Sequence, residues 1–186
     1  MRGSHNTLTY GRPCRWWGWL LVPLWRCQRR DLPAQIDHGC RVFDIRVARR
    51  GDRWYAAHGI VDIAVDPVAA ILKICSCLDR PYIRVILEKG NAEDAREFVQ
   101  LCRYLERLHP DARFFGGVLK PGWKQLYRFQ SDDGSLERGM TQYVGSMQSR
   151  WYGKLLPGLW TWIHRHDALP DAAASPELPI VLTDMV

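Results

Sequence analysis

Apolar and polar positions alternate along Cys40–Val47, a stretch rich in β-branched residues, and this alternation predicts a strand. Gly39 punctuates its start, Arg49–Arg53 reads as a turn, and Trp54–His58 as a short return strand completing a hairpin. The period then changes. Val68, Ile71, Leu72 and Cys75 share one face at helical spacing, which predicts a helix over Pro67–Leu78. Asp66 before Pro67 supplies its N-cap and first-turn proline. Tyr82–Glu88 reads as a second apolar strand. Asn91–Leu108 is an amphipathic helix with Asn91 as N-cap and Phe98, Leu101, Cys102 and Leu105 on its core face. Arg113–Val118 predicts a third strand, Trp123–Phe129 a short helix, and residues 131–139 a polar loop. Residues 140–168 are weakly patterned and Trp-rich, Ala172–Pro176 is a loop, and Leu178–Val186 is a final apolar strand. Strands alternating with helices predict an α/β protein with a parallel sheet.

The chain has 186 residues, 47% hydrophobic and 25% charged, which fits one globular domain over 1–186 and excludes disordered, collagenous and coiled-coil classes. The sequence opens almost directly on its most distinctive motif and closes on an apolar run, as a fragment of a longer chain would. No apolar run approaches the length of a membrane span, and no cleavable leader pattern stands at the start. The expected location is therefore cytoplasmic or peripheral to a membrane. The six cysteines lack paired metal-ligand spacing and read mostly as buried reduced thiols. Nine Trp and a net charge of +6 are unusual, and the charge points to an acidic partner. The basic residues are scattered without a nucleic-acid motif, so nucleic acid is not the expected partner.

Polar groups gather where the predicted strands end. Asp44 and Arg46 stand at i and i+2 and so project to one side of their strand. His58 ends the return strand, Glu88 ends the next, Asp184 lies in the last, and His5 sits in Gly-Ser-His-Asn-Thr. Parallel α/β folds build their sites at such carboxyl ends. Displacement at phosphorus needs one group to take a proton and one to give it, and histidine is the side chain that titrates near neutrality. Charge spread over phosphoryl oxygens suits a bidentate guanidinium.

Ser4-His5-Asn6-Thr7, Gly39-Cys40-Arg41-x-x-Asp44-Ile45-Arg46, His58-Gly59 and Ile86-Leu87-Glu88, in this order and spacing, resemble the X region of phosphatidylinositol-specific phospholipases C of the bacterial type. The resemblance covers about residues 3–90, with Asp184 matching more weakly and 110–175 unmatched. It implies a distorted TIM barrel, reduced here because such barrels usually run to about 250 residues. It also implies phosphodiester cleavage through a cyclic inositol phosphate. By resemblance, His5 is the general base, Asp184 its orienting carboxylate, His58 the general acid and Arg46 the phosphoryl-neutralising cation. Asp44 falls at an acidic position of the same site. Asn6 falls where bacterial members carry an aspartate partnering the acid and animal members an asparagine calcium ligand. Asn6, Asp44 and Glu88 match three calcium positions of the animal members, but Arg46 replaces the fourth, so no cofactor is expected and Ca²⁺ is disfavoured. Bacterial members have lysine where Glu88 stands, and Glu88 is expected to pair with Arg46 or Lys89. Lys120 is placed at the site rim, near phosphate or inositol, with a solvated lysine as the simpler reading. Tyr127, Tyr143 and Trp151 are candidates to stack on a sugar ring.

The run Trp16-Trp17-x-Trp19, flanked by Arg12, Arg15, Arg26, Arg29 and Arg30, falls where bacterial members touch membranes. Trp favours the interface and Arg the anionic headgroups. Trp16, Trp17 and Trp19 are therefore expected membrane contacts, the alternative being that they pack as barrel wall. The expected partner is a phospholipid or inositol-phosphate substrate. A glycerophosphodiester phosphodiesterase ranks lower, because that family's His-Arg-Gly and Glu-x-Asp are here His5-Asn6-Thr7 and Asp44-x-Arg46. A non-catalytic lipid- or polyanion-binding relic of the fold is the remaining class.

Overall fold

The computed structural model describes residues 1–132, 134–138, 140–143 and 180–183. Its strands are β1 (Arg2–Ser4), β2 (Val42–Arg50), β3 (Arg53–His58), β4 (Val61–Ile63), β5 (Tyr82–Lys89), β6 (Arg113–Leu119), β7 (Lys124–Gln125), β8 (Met140–Tyr143) and β9 (Ile180–Thr183). The helices are α1 (Val22–Trp25), α2 (Leu32–Asp37), α3 (Pro67–Cys77), α4 (Ala92–Leu108) and α5 (Ser135–Arg138). The sheet runs β7-β6-β5-β2-β1-β9-β8, with β3 and β4 continuing as antiparallel strands beside β2. From β6 to β8 every pairing on this path is parallel, and only β7 is antiparallel. The expected α/β class with a parallel sheet is present. Among the described residues the sheet is open, so barrel closure is not seen in them.

Alternation along the strands sorts side chains onto two faces. Phe43, Ile45 and Val47 of β2 and Ile83, Val85 and Leu87 of β5 bury outward against Ile71 and Ile74 of α3 and Phe98, Leu101 and Leu105 of α4. Each such side chain contributes about 1.5–3 kcal/mol on burial. Asp66 caps α3, accepting from Val68 N at 2.8 Å, and Asn91 closes a capping box on α4, so both helices begin where their polar residues dictate. The other face carries Val42, Asp44 and Arg46 of β2, and Tyr82, Arg84 and Glu88 of β5. Its lower end is an apolar plug of Val42, Phe115, Ile180 and Leu182.

Three glycines permit this geometry. A Cβ on Gly3 would stand 2.4 Å from Leu182 Cδ2 and 2.9 Å from Val42 Cβ, so only glycine lets β1 lie between β2 and β9. Gly116 and Gly117, at φ 91° and 66°, form the irregularity where β6 slips register against Val85 and Ile86 of β5.

Trp123–Phe129 is not a helix. Trp123 ends a 3₁₀ turn at Lys120–Gly122, and the amides of Leu126 and Tyr127 both donate to Gly117 O at 2.9 Å. The irregular β6 edge takes the hydrogen bonds that a helix would have made internally. The polar stretch 131–139 contains the one-turn helix α5. The expected loop at 172–176 lies outside the described residues. Cys27, Cys40 and Cys102 are buried thiols outside any disulfide, as expected, whereas Cys14 and Cys77 are exposed. No helix among the described residues is long and apolar enough to cross a membrane.

Candidate active site

His5 follows β1 directly, and its loop is held by buried amides. Gln28 Nε2 donates to His5 O at 2.9 Å and Gln35 Nε2 to Thr7 O at 3.0 Å. Thr7 N donates to Asp44 O at 2.9 Å. Within this clamp Asn6 adopts φ 46°, a left-handed conformation that costs a non-glycine residue about 1–3 kcal/mol. The turn points the His5 ring and the Asn6 amide toward the same space. Neither Gln28 nor Gln35 carried a signal in the sequence, since each is a lone glutamine without periodic context.

Asn6 Nδ2 stands at the centre. It lies 3.3 Å from His5 Nε2, 3.3 Å from His58 Nε2 and 3.3 Å from Cys27 Sγ. The two imidazoles therefore flank a gap no wider than twice that distance. His58 Nδ1 donates to Trp25 O at 2.6 Å, which leaves its Nε2 as the nitrogen facing the gap. Arg46 Nη2 lies 3.1 Å from His5 Nε2, and a guanidinium can only donate, so His5 Nε2 presents its lone pair. Asn6 Oδ1 is buried and accepts no hydrogen bond from the described residues.

Below the histidines lies a ladder of buried charge. Asp44 accepts from Arg46 Nε at 3.1 Å, from Arg84 Nη1 at 3.3 Å and from Asn6 N at 3.2 Å. Glu88 accepts from Lys120 Nζ at 2.6 Å, from Gly59 N at 2.7 Å and from Arg46 Nη1 at 3.5 Å. Burial alone would raise the Asp44 pKa, but Arg46 and Arg84 outweigh it and hold the carboxyl well below its usual range. Burial opposes the Arg46 charge, and Asp44 and Glu88 reverse that and raise its pKa. His58 moves the other way. Burial, then the Arg46 cation, push it down to about 3, against the partial support of the Trp25 carbonyl.

The structure thus brings together His5, Asn6, Asp44, Arg46, His58, Glu88 and Lys120. Asp184 lies outside the described residues, as do Trp151 and the side chain of Tyr143. Glu88 pairs with Arg46 and Lys120, not Lys89, which instead reaches Asp62 at 2.7 Å. Lys120 is therefore an ion-paired member of the site and not a solvated lysine. Tyr127 is far from this role: its hydroxyl donates to Glu106 of α4 at 2.5 Å on the outer face. Arg84 was missed, although it shares the Glu88 face of its strand at i and i+4. The calcium positions suggested by resemblance do not fit an ion as they stand. Arg46 bridges Asp44 and Glu88, placing a fixed cation where the metal would be, and Lys120 and Arg84 take further carboxylate oxygens.

Of the three expected membrane tryptophans, Trp16 and Trp19 are open, at 77% and 51% exposure, beside exposed Leu20 and Leu24. Trp17 instead packs against the core. Arg26 is not free for lipid either, since its guanidinium lies 5.7 Å and 5.4 Å from the Trp19 and Trp25 ring centroids.

No family model matches the chain, and no curated protein matches it. Among solved structures it is similar to the phosphatidylinositol-specific phospholipase C of Listeria monocytogenes, with 18% identity, a TM-score of 0.45, and coverage of 57% of this chain and 39% of that one. It is also similar to a Staphylococcus aureus phosphatidylinositol-specific phospholipase C, with 17% identity, a TM-score of 0.43, and coverage of 68% and 44%. The chain spans less than half the length of either structure.

Proposed function

We propose that this protein is a metal-independent phosphodiesterase of the phospholipase C type, cleaving phosphatidylinositol through a cyclic inositol phosphate. The observation that carries the reading is the pair of imidazoles facing one gap, with Arg46 on one of them and a ladder of paired buried charge beneath. The sequence resemblance supplies the substrate.

In this reading His5 Nε2 takes the proton of the inositol 2-hydroxyl as that oxygen bonds to phosphorus. The bond from phosphorus to the diacylglycerol oxygen breaks, and protonated His58 gives that oxygen its Nε2 proton. Arg46 neutralises the phosphoryl oxygens, the role that a calcium ion would otherwise fill. Asn6 Oδ1 is an acceptor suited to a headgroup hydroxyl. His58 is neutral in the free site because burial and Arg46 disfavour its charge. An entering phosphodiester anion offsets Arg46 and makes protonation favourable, so the acid is charged by the substrate it serves. Trp16, Trp19, Leu20 and Leu24, with exposed Arg12, Arg15, Arg29 and Arg30, form the face that meets an anionic bilayer.

The test is cleavage of phosphatidylinositol vesicles by wild type, His5→Ala and His58→Ala, with and without chelator. Each substitution is expected to lower the rate at least about a hundredfold, the worth of a general acid or base. Chelator is expected to change nothing. Equal rates in all three proteins would defeat the mechanism.

A further inference from the structure

The proton donor of the proposed reaction stands at a hairpin tip, and two consecutive residues at the end of β5 hold that tip. His58 ends β3 and pairs with Val61 of β4 across the two-residue loop Gly59–Ile60. This hairpin lies off the main path of the sheet and joins it through the pairing of β3 with β2. Glu88 Oε1 accepts from Gly59 N at 2.7 Å, and Lys89 Nζ donates to Ile60 O at 2.8 Å. The first amide and the last carbonyl of the loop are thus each bonded to a charged side chain, the stronger kind of hydrogen bond. Lys89 Nζ also lies 2.7 Å from Asp62 of β4. The other oxygen of Glu88 faces Arg46 Nη1 at 3.5 Å. One buried carboxylate therefore spans the turn of the proton donor and the phosphoryl-binding cation. The bond from His58 Nδ1 to Trp25 O sets which ring nitrogen carries the proton, while the loop sets where the ring stands relative to Arg46.

We propose that Glu88 and Lys89 are positioning residues for the proton donor, pinning the His58 turn so that His58 meets the leaving oxygen while Arg46 holds the phosphoryl oxygens. This rests on the phosphodiesterase reading. A general acid works only within hydrogen-bond reach of the atom it protonates, and a misplacement of about 1 Å costs about a hundredfold in rate. An alkoxide leaving group needs that proton, whereas p-nitrophenolate departs without it. A residue that acts through His58 therefore matters for the first leaving group and not for the second. A residue that serves Arg46 or the fold matters equally for both.

The test uses two soluble inositol phosphodiesters, one with a glycerol and one with a p-nitrophenyl leaving group, with wild type, Glu88→Ala, Glu88→Gln and Lys89→Met. Glu88→Ala is expected to lower kcat about thirtyfold on the glycerol diester and at most about threefold on the nitrophenyl diester, with KM within about threefold on both. Glu88→Gln keeps an oxygen for Gly59 N and is expected to stay within about fivefold of wild type. Lys89→Met leaves the charge ladder intact, and Asp62 keeps Arg50 at 2.9 Å. It is expected to lower kcat about tenfold on the glycerol diester and not on the other, and it decides alone if Glu88→Ala does not fold. Equal losses on the two diesters, a glycerol-diester kcat within about twofold of wild type in Lys89→Met, or Glu88→Gln as slow as Glu88→Ala overturns the proposal. If wild type cleaves neither diester, the phosphodiesterase reading fails, and NMR of the His58 ring nitrogens decides the positioning. A single Nδ1–H tautomer in wild type that becomes a mixture in Lys89→Met upholds it. The same tautomer state in both proteins overturns it.

Discussion

Removing Arg46 should cost this protein its activity far more than its stability. The ladder holds three cations, Arg46, Arg84 and Lys120, against two carboxylates, Asp44 and Glu88. In Arg46→Met, Asp44 keeps Arg84 and the Asn6 amide, and Glu88 keeps Lys120 and the Gly59 amide. No carboxylate is stranded, and a long apolar side chain fills most of the space. The expected loss is about 1–2 kcal/mol, the scale of exchanging satisfied contacts, not of abandoning a buried charge. Asp44→Asn is the contrast. It removes the carboxylate that both Arg46 and Arg84 reach, leaving two buried guanidinium groups to repel each other. Its expected cost is about 3–5 kcal/mol, a large part of the total stability of a typical domain. Urea unfolding followed by tryptophan fluorescence resolves the two, with midpoints about 1 M apart. On phosphatidylinositol, Arg46→Met should lose about a hundred- to a thousandfold in rate, the scale of removing a preorganised charge from the transition state. If Arg46→Met unfolds as early as Asp44→Asn, or keeps its rate within about threefold, the separation of roles drawn from the ladder is wrong.

His58 gives the fold a pH dependence. Its folded pKa lies near 3 and its ordinary value near 6.5, so between these the unfolded chain binds the extra proton. This contribution is complete above about pH 6.5 and is lost as pH falls, by about 1.4 kcal/mol per unit. Urea midpoints measured near neutrality and at about pH 5 should therefore converge for wild type and His58→Gln on acidification, and parallel curves would contradict the shift. For docking, Trp16→Ala/Trp19→Ala/Leu20→Ala should weaken binding to anionic vesicles about tenfold or more while leaving cleavage of a soluble inositol phosphodiester unchanged. Equal loss in both assays, or a lowered melting temperature, would mean that the segment serves the fold.

Long periodic elements were legible in the sequence. The alternation of β2 and β5 and the 3.6-residue period of α3 and α4 each express a face buried against the other, and their caps, Asp66 and Asn91, stand as read. The gathering of the site polar groups followed from strand parity and motif order, since Asp44 and Arg46 at i and i+2 do share one face and touch at 3.1 Å. What escaped was too short to show a period, namely β1, β4, β7, β8, α1, α2 and α5, or depended on a distant partner. A short helix was expected over Trp123–Phe129, but the carbonyl of Gly117 takes the amides of Leu126 and Tyr127. Arg84 was hidden by its apolar neighbours, although its parity with Glu88 already placed it on the polar face. The exchange of Lys89 for Lys120 at Glu88 depended on the β6 turn, which no local pattern specifies.

β1 has three residues and lies between β2 and β9, and His5 follows it at once. This sets an order of assembly. The frame of β2, β3, α3, β5, α4 and β6 joins neighbours in sequence, whose contacts close small loops and form early. The pairing of β1 with β9 closes nearly the whole described chain and carries the largest entropic delay. The cationic ladder on β2 and β5, and the His5 loop held by Gln28, Gln35 and Asp44, are therefore expected to stand before β9 docks. A chain with a well-formed core and most of its native helix content would therefore still lack the apolar plug that Ile180 and Leu182 of β9 complete with Val42 and Phe115.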